Sequence, residues 1–312
     1  MGCDADSQGT PNQTPNETPG HNDPEPLRSC IALGSRVVYF EHGTGTPLVL
    51  VHGMFGDHMD WSEVLGPLGE KHRVIALDLP GFGDSDKNLE RCAPELTPGC
   101  TSKLTPEYFV ESLESIFSTL DVRGAVLVGN SFGGLLCSLY VAAHPEQVQS
   151  LVLVSSAGMR EYSAAERAVV AEHFSEQNLL LMRPEHVEPL FALNFARLTA
   201  ARANYLERQR AKLKRADYKA YAHVLAECAA MAFAIPIVPV LGKVKLPIVL
   251  LWGDSDPVFP VALAREALPA LPQARLALVA GASHMPQMDQ PEAVVNVLEE
   301  LAREEAGRGR EK

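Results

Sequence analysis

The segment of this 312-residue chain whose residues are best suited to do chemistry contains a serine with a glycine two positions away on each side. The sequence GNSFG at 129–133 places Ser131 between an apolar run at 125–128 and a predicted helix at 134–144. A strand that turns this sharply into a helix leaves little room for a Cβ beside the serine, so glycine suits the flanking positions. We therefore predict that Ser131 lies on a strained turn, with its hydroxyl projecting from the sheet as a nucleophile.

A base and an acid that would activate this serine occur later in the chain. A serine hydroxyl is a weak nucleophile at neutral pH, and it needs an adjacent base that an acid orients. His284 and two acid candidates, Asp254 and Asp256, each come directly after a predicted strand. Because the strand ends of a parallel sheet meet at its carboxyl edge, we expect these side chains to lie near Ser131.

The segment HGMFG at 52–56 supplies a fourth element at the end of another predicted strand. A tetrahedral intermediate needs two hydrogen-bond donors aimed at its oxyanion, and the loss of one typically costs about 3 kcal/mol. We predict that the backbone amides of Met54 and Phe132 are these two donors. His52 is expected to shape the loop rather than to act as a base or a metal ligand.

Strand and helix signals alternate along the chain from residue 36 onward. The predicted strands show little polar alternation, which indicates a mainly parallel sheet that is covered by helices on both faces. The predicted fold class is therefore α/β. The predicted strands are 37–41, 48–51, 73–77, 125–128, 151–154, 248–252 and 275–279, and the predicted helices are 61–70, 106–120, 134–144, 261–268 and 291–303.

The strand signals stop between residues 158 and 245, where apolar residues recur at helical spacing. We expect residues 158–245 to form a helical cap that is inserted into a core made of residues 27–157 and 246–312. Six basic residues of this insertion are expected to lie on a solvated helix face. They are Arg202, Arg208, Arg210, Lys212, Lys214 and Arg215.

Residues 1–26 differ in composition from the rest of the chain. They contain five prolines and no aromatic residue, so they cannot bury enough apolar surface to offset the entropy of ordering, and a disordered polar tail is expected. We expect a cytoplasmic protein, with export or a lipid anchor at Cys3 as the alternative if a signal peptide was removed. Cys92 and Cys100 would form a disulfide in an oxidising compartment and would stay free thiols in a reducing one.

The composition limits the classes of partner. A formal net charge of −12 argues against nucleic acid and anionic membranes, because both favour basic patches. No apolar stretch approaches the length of about 20 residues that a transmembrane helix needs. The six cysteines show no metal-ligand spacing, and we expect neither a metal nor a cofactor. The expected partner is a small-molecule substrate.

Five segments resemble the signatures of the α/β-hydrolase family, and the resemblance runs from about residue 30 to the C-terminus. The resemblance implies an eight-stranded, mostly parallel sheet with helices on both faces and a helical cap. It also implies the catalytic order Ser131, Asp256, His284, because the family's acid is the second aspartate of the G-x-x-D-P pattern. Asp254 is the alternative acid. The segments are HG at 52–53, DLPGFGDS at 78–85, GNSFGG at 129–134, WGDSDP at 252–257 and GASH at 281–284.

The resemblance also indicates the reaction, because haloalkane dehalogenases and epoxide hydrolases of this fold carry an aspartate where Ser131 stands. A serine implies acyl transfer to water through an acyl-enzyme, with His284 acting first as base and then as acid. We therefore expect a carboxylesterase or lipase-like enzyme that cleaves a small or medium apolar ester. The apolar residues expected to line its pocket, unless they serve only as core, are Phe55, Met159, Phe233 and Met285.

Two other functions stay open at this point. The GNSFGG segment resembles that of hydrolases that cleave carbon–carbon bonds in meta-cleavage products of aromatic rings. Those enzymes usually carry an aromatic residue after the catalytic histidine, where this chain has Met285, and a cap arginine, for which Arg197 and Arg202 are candidates. The third function is a binding or receptor protein on the same scaffold, and the complete set of catalytic segments weighs against it.

Overall fold

The structure is a computed structural model that describes residues 27–87, 89 and 104–308. The expectations for the tail at 1–26 and for the Cys92–Cys100 pair lie outside the described residues. None of the helices within the described ranges has both the length and the apolar character that a membrane span requires.

One eight-stranded sheet organises the described chain, as the family resemblance implied. The first two strands are antiparallel to their neighbours, and all the others pair in parallel. The spatial order is β1-β2-β4-β3-β5-β6-β7-β8. The strands are β1 (Arg28–Ala32), β2 (Ser35–His42), β3 (Pro47–Val51), β4 (Arg73–Leu77), β5 (Ala125–Asn130), β6 (Val148–Val154), β7 (Ile248–Gly253) and β8 (Ala274–Val279).

The helices follow the strands in the alternation that the sequence predicted. The expected start of the helix after residue 104 is confirmed, since the Thr105 hydroxyl accepts a hydrogen bond from the Tyr108 amide at 3.3 Å. The helices are α1 (Ser62–Gly69), α2 (Pro106–Thr119), α3 (Phe132–Ala143), α4 (Ala164–His173), α5 (Glu176–Leu180), α6 (Pro184–Phe191), α7 (Ala200–Lys212), α8 (Tyr218–Ala234), α9 (Val238–Leu241), α10 (Ala262–Ala267), α11 (Pro286–Asp289) and α12 (Pro291–Arg308). Helices α4 to α9 all lie between β6 and β7, and we call residues 155–247 the β6–β7 segment.

The sheet separates two apolar clusters, because successive side chains of a strand point to opposite faces. In β5, Ala125 and Leu127 belong to one cluster, whereas Val126 and Val128 belong to the other. Helices α2 and α3 contribute to the first cluster, and α1 and α12 contribute to the second. Because both faces are covered, the central strands are continuously apolar and carry no polar alternation.

Strand β1 is the strand of the sheet that the sequence did not predict. It lies at the edge of the sheet, pairs among the described residues only with β2, and buries just Cys30 and Ala32. Ile31 is 60% exposed, so apolar residues stand on both faces of the strand and hide its alternation. A short edge strand of this kind carries too weak a periodic signal to be found without its partner.

Candidate active site

The turn between β5 and α3 holds Ser131 in a strained conformation, with φ +53° and ψ −117°. A Cβ on Gly129 would lie 2.5 Å from the carbonyl oxygen of Gly133. A Cβ on Gly133 would lie 2.5 Å from the carbonyl oxygens of both Val51 and His52. Glycine is required at both positions because β5, α3 and the end of β3 approach each other at backbone contact distance.

We expect Gly133→Ala to destabilise the protein, because the overpacking of a tight backbone contact typically costs about 1–3 kcal/mol. Gly66→Ala is the matched control. Gly66 lies in α1 with nothing within 4 Å of the position that a Cβ would take, and alanine there should stabilise the helix by up to about 1 kcal/mol. The urea midpoints of the two variants should therefore shift in opposite directions. A Gly133→Ala midpoint at or above the wild-type value contradicts the close packing of this turn.

The loops after β7 and β8 bring His284 and Asp256 together. The Nδ1 atom of His284 lies 2.9 Å from Oδ2 of Asp256, and both residues are buried. The other oxygen of Asp256 accepts hydrogen bonds from the amides of Val258 at 2.8 Å and Phe259 at 3.0 Å. Because the carboxylate accepts from Nδ1–H, the pairing assigns the tautomer in which Nε2 of His284 carries the lone pair.

Asp254, the alternative acid, has a different environment. It is exposed, and its Oδ1 accepts hydrogen bonds from the amide of Gly281 at 3.0 Å and the hydroxyl of Ser255 at 2.9 Å. These contacts join the ends of the β7 and β8 loops. The structure therefore pairs His284 with Asp256, whereas Asp254 connects the loops that follow β7 and β8.

The loop after β3 presents Met54 at the same edge of the sheet. A hydrogen bond of 3.0 Å from the Gly56 amide to the Gly53 carbonyl closes the turn, and Phe55 has φ +66°. His52 is fully buried beneath it, with Nδ1 donating to the Gly53 carbonyl at 2.7 Å and Nε2 accepting from the Leu79 amide at 3.1 Å. Because Nε2 accepts from an amide, the ring is neutral, and burial lowers the pKa of His52 in agreement with this. The ring thus connects the loops after β3 and β4.

Asp78 holds the neighbouring loop through three hydrogen bonds. Its Oδ1 accepts from the amide of His58 at 2.7 Å and from His58 Nδ1 at 2.8 Å, and its Oδ2 accepts from the Asp84 amide at 2.7 Å. Although burial opposes it, the hydrogen bonds from His58 keep the pKa of the Asp78 carboxyl below its usual range. A carboxylate with this many donors is an anchor for the loops after β3 and β4.

A cavity of about 240 Å³ joins these elements. Ser131, His284, Met54 and Phe132 all lie on its wall, with Asp256 behind His284. A larger cleft elsewhere, of about 1040 Å³, touches none of the four. The structure thus places the predicted nucleophile, the predicted base and the residues of the two predicted oxyanion donors on the wall of one cavity.

The remaining predicted pocket residues divide into two groups. Phe55, Phe233 and Met285 lie on the cavity wall. Met159 is 5% exposed and packs in the apolar core instead of on the wall. Wall residues that the sequence reading did not name come mostly from the β6–β7 segment, and they include Phe174, Leu190, Phe191, Asn194, Tyr205 and Ala232.

Asn130 is a further residue of the site that the sequence reading did not single out. Its Nδ2 donates to the carbonyl of Val154 at 3.1 Å and to the carbonyl of His284 at 3.3 Å. The side chain therefore links the serine turn to the histidine loop. The only sequence signal is its place beside Ser131, and a polar residue there has no pattern that identifies its partner.

The expectation of a solvated basic face on α7 is wrong for at least three of its members, since the Arg202 side chain is only 13% exposed and Lys212 and Arg208 are covered too. Lys212 is 9% exposed, and its Nζ lies 2.7 Å from Oδ2 of Asp57. Arg208 is largely covered, and its Nη2 lies 2.9 Å from Oδ1 of the buried Asp60. Both cations turn inward because the loop after β3 places two carboxylates against this face of α7.

Comparisons with known proteins agree with this architecture. Residues 46–291 match the family model described as alpha/beta hydrolase fold. The chain is 32% identical over 285 residues to the dihydrolipoyllysine-residue acetyltransferase component of the acetoin cleaving system of Pseudomonas putida, covering 86% of this chain and 67% of that protein. It is 33% identical over 141 residues to 2-hydroxymuconate semialdehyde hydrolase of Pseudomonas sp. strain CF600, covering 44% of this chain and 46% of that protein.

A solved structure of a membrane phospholipase A, a bacterial virulence factor, is also similar. The TM-score is 0.72 with 28% sequence identity, and the alignment covers 90% of this chain and 86% of that one. The family model spans most of the chain, and the strand order and turn geometry agree with it. The chain is therefore a member of the α/β-hydrolase family.

Proposed function

We propose that this protein is a serine hydrolase that cleaves a carboxylic ester with a small or medium apolar acyl or aromatic group. The observation that carries the proposal is the His284–Asp256 pair beside a cavity that Ser131 also lines. A base oriented by a buried acid, next to a serine on a strained turn, is the arrangement that acyl transfer needs.

In the first half of the proposed reaction, Ser131 Oγ attacks the ester carbonyl carbon while His284 Nε2 takes the hydroxyl proton. Negative charge develops on the carbonyl oxygen, and the amides of Met54 and Phe132 donate to it. The Asp256 carboxylate keeps Nδ1 of His284 protonated and stabilises the imidazolium that forms. Collapse of the tetrahedral intermediate releases the alcohol, which receives the proton from Nε2.

In the second half, water attacks the acyl-enzyme as His284 takes one of its protons. The second tetrahedral intermediate uses the same two amide donors, and its collapse releases the carboxylic acid and restores the Ser131 hydroxyl. In both halves, every transferred proton passes through Nε2 of His284. The chemistry rests wholly on side chains and amides of this chain.

The charge of the wall favours a neutral ester over a ring-fission dienoate. Among the described residues, the cavity wall contains no lysine or arginine, and Asp60 is part of it. Arg202, one of the two arginine candidates, donates instead to Oε1 of Glu188 at 2.9 Å, outside this cavity. A dienoate carboxylate would therefore enter without a cationic partner, which is unfavourable in an apolar site.

Cleavage of carbon–carbon bonds is the second candidate function. The similarity to 2-hydroxymuconate semialdehyde hydrolase over 141 residues favours it, as does the resemblance of the GNSFGG segment to that of such hydrolases. The same nucleophile and base would serve both reactions. The two proposals differ in the group that the cavity must accept, and a substrate comparison separates them.

We further propose that residues 158–245 act as the cap of the site. Support comes from Phe174, Phe191 and Phe233, which lie on the cavity wall opposite a catalytic framework built from strand ends. The cavity volume of about 240 Å³ is below the range of about 300–1,000 Å³ that is usual for drug-sized ligands. A cap of this shape favours short and medium acyl groups.

The deciding experiment measures hydrolysis of p-nitrophenyl esters of increasing acyl length beside a ring-fission dienoate. We expect turnover of the esters with a maximum at short to medium chains, because the cavity is small and apolar. Preferential cleavage of the dienoate would support the carbon–carbon hydrolase. Turnover of neither substrate would contradict both enzymatic proposals and favour a binding protein on this scaffold.

A further inference from the structure

Helix α7, which contributes Tyr205 to the cavity wall, also contacts the loop that carries Met54. The carbonyl oxygen of Phe55 accepts a hydrogen bond from Gln209 Nε2 at 3.1 Å and another from Lys212 Nζ at 2.6 Å. The two donors stand three positions apart, so they lie on the same face of α7. One backbone carbonyl of the loop is thus held by two side chains of the β6–β7 segment.

Lys212 makes further contacts with the same loop. Its Nζ lies 3.4 Å from the Gly56 carbonyl oxygen and 2.7 Å from Oδ2 of Asp57. The ammonium group therefore faces acceptors on three consecutive residues, 55–57. Asp57 in turn accepts from the Met59 amide at 3.0 Å and so begins the short helix that follows.

Both donors are buried, which makes the arrangement unusual for a surface helix. Gln209 is 3% exposed and Lys212 is 9% exposed. Lysine is almost never buried unless it is paired, and a buried ion pair is seldom more stable than an apolar replacement. A gain in stability therefore does not explain why residue 212 is a lysine. A role in holding the geometry of the loop does explain it.

The loop needs such support because its backbone is strained. Phe55 has φ +66°, which a non-glycine residue keeps only where its surroundings over-determine it. Phe55 follows Met54 directly, so a change at its dihedral angles would shift the loop that carries the Met54 amide. An oxyanion donor that is misplaced by about 1 Å can cost on the order of 100-fold in rate.

We propose that Lys212 and Gln209 are positioning residues that brace the loop 53–57 through the Phe55 carbonyl and so keep the Met54 amide aimed at the ester oxyanion. The catalytic part of this inference rests on the proposed function. The support that these two side chains give to the loop does not rest on the proposed function, because it concerns the geometry of the loop and not the reaction. Neither residue touches the cavity, so their effect on the reaction is indirect.

The brace is tested first by hydrogen–deuterium exchange of the full chain, which does not depend on any activity. Lys212→Met and Gln209→Met remove the donors at nearly constant volume, and Gln209→Met leaves the Lys212–Asp57 pair intact. Lys214→Met is the control, since Lys214 is an exposed lysine just beyond the end of α7. We expect exchange in peptides covering residues 52–58 to accelerate on the order of tenfold in the two brace variants and not in the control. Unchanged exchange in both brace variants overturns the proposal.

Steady-state kinetics with p-nitrophenyl butyrate then test the effect on the reaction. We expect kcat to fall by about 10- to 100-fold in each brace variant while KM changes less than about threefold, because the lost contact acts on the transition state. Faster exchange with an unchanged kcat would overturn the positioning role. A wild-type protein without ester turnover would contradict the proposed function, whereas the exchange result would still decide whether the brace exists.

Discussion

Replacing Ser131 with alanine is expected to lower kcat for ester hydrolysis by about 10⁵- to 10⁶-fold, the scale typical of removing the nucleophile from a triad. The variant lacks the oxygen that forms the acyl-enzyme, so catalysis through that intermediate ends. Residual acceleration over water would come only from the oxyanion donors and substrate binding. KM should change little, because the serine hydroxyl contributes little to ground-state binding. Initial rates with p-nitrophenyl esters at high enzyme concentration measure the loss.

Ser138→Ala is the matched control for this substitution. Ser138 lies on α3, the helix that begins directly after Ser131, is fully buried, and donates its hydroxyl to the Gly134 carbonyl at 2.7 Å. Its replacement removes a serine hydroxyl close to Ser131 in the chain and should leave kcat within about twofold, with a stability cost of about 1 kcal/mol. Retention of more than a tenth of the activity in Ser131→Ala would show that another group is the nucleophile.

Asp256→Asn is expected to lower kcat by about 10⁴-fold, whereas Asp254→Asn should change it less than about threefold. The physical reason is the tautomer of His284. An asparagine amide can donate to Nδ1, which moves the ring proton to Nε2, and a protonated Nε2 cannot accept the Ser131 proton. Asp254 contacts Ser255 and Gly281 and not the imidazole, so its replacement leaves the base intact.

Parallel kinetics of the two asparagine variants measure this difference, and urea unfolding shows whether either variant has lost stability. Both substitutions keep the size of the side chain and remove one charge, so each serves as the control for the other. Similar losses of kcat in the two variants would mean that the acid has been assigned to the wrong aspartate. A large loss in Asp254→Asn alone would make Asp254 the acid.

Much of the fold could be predicted from the sequence because its signals are local. Buried parallel strands such as 125–128 are continuous apolar runs, and Thr105 followed by Pro106 marks a helix start within three residues. β1 could not be found in this way. Its pattern is mixed, and only pairing with β2 reveals it as a strand.

The candidate site shows the same division. The turn at Ser131 is dictated by neighbouring glycines, and the converging strand ends follow from a parallel sheet. Met159 illustrates the limit, because its apolar side chain suits a pocket wall and a core equally well, and the structure packs it in the core. Nothing in the composition of a helix tells which of its apolar residues will face a cavity.

The sequence by itself determined the parts of the chemistry: a serine on a glycine turn, a late histidine and candidate acids, each at the end of a strand. Those assignments need only local geometry and the convergence of strand ends. Tertiary structure alone decided that α7 turns Lys212 inward to the Phe55 carbonyl, a contact between residues 157 positions apart. Periodicity along a helix records which residues share a face, but it carries no information about the distant loop that the face will meet.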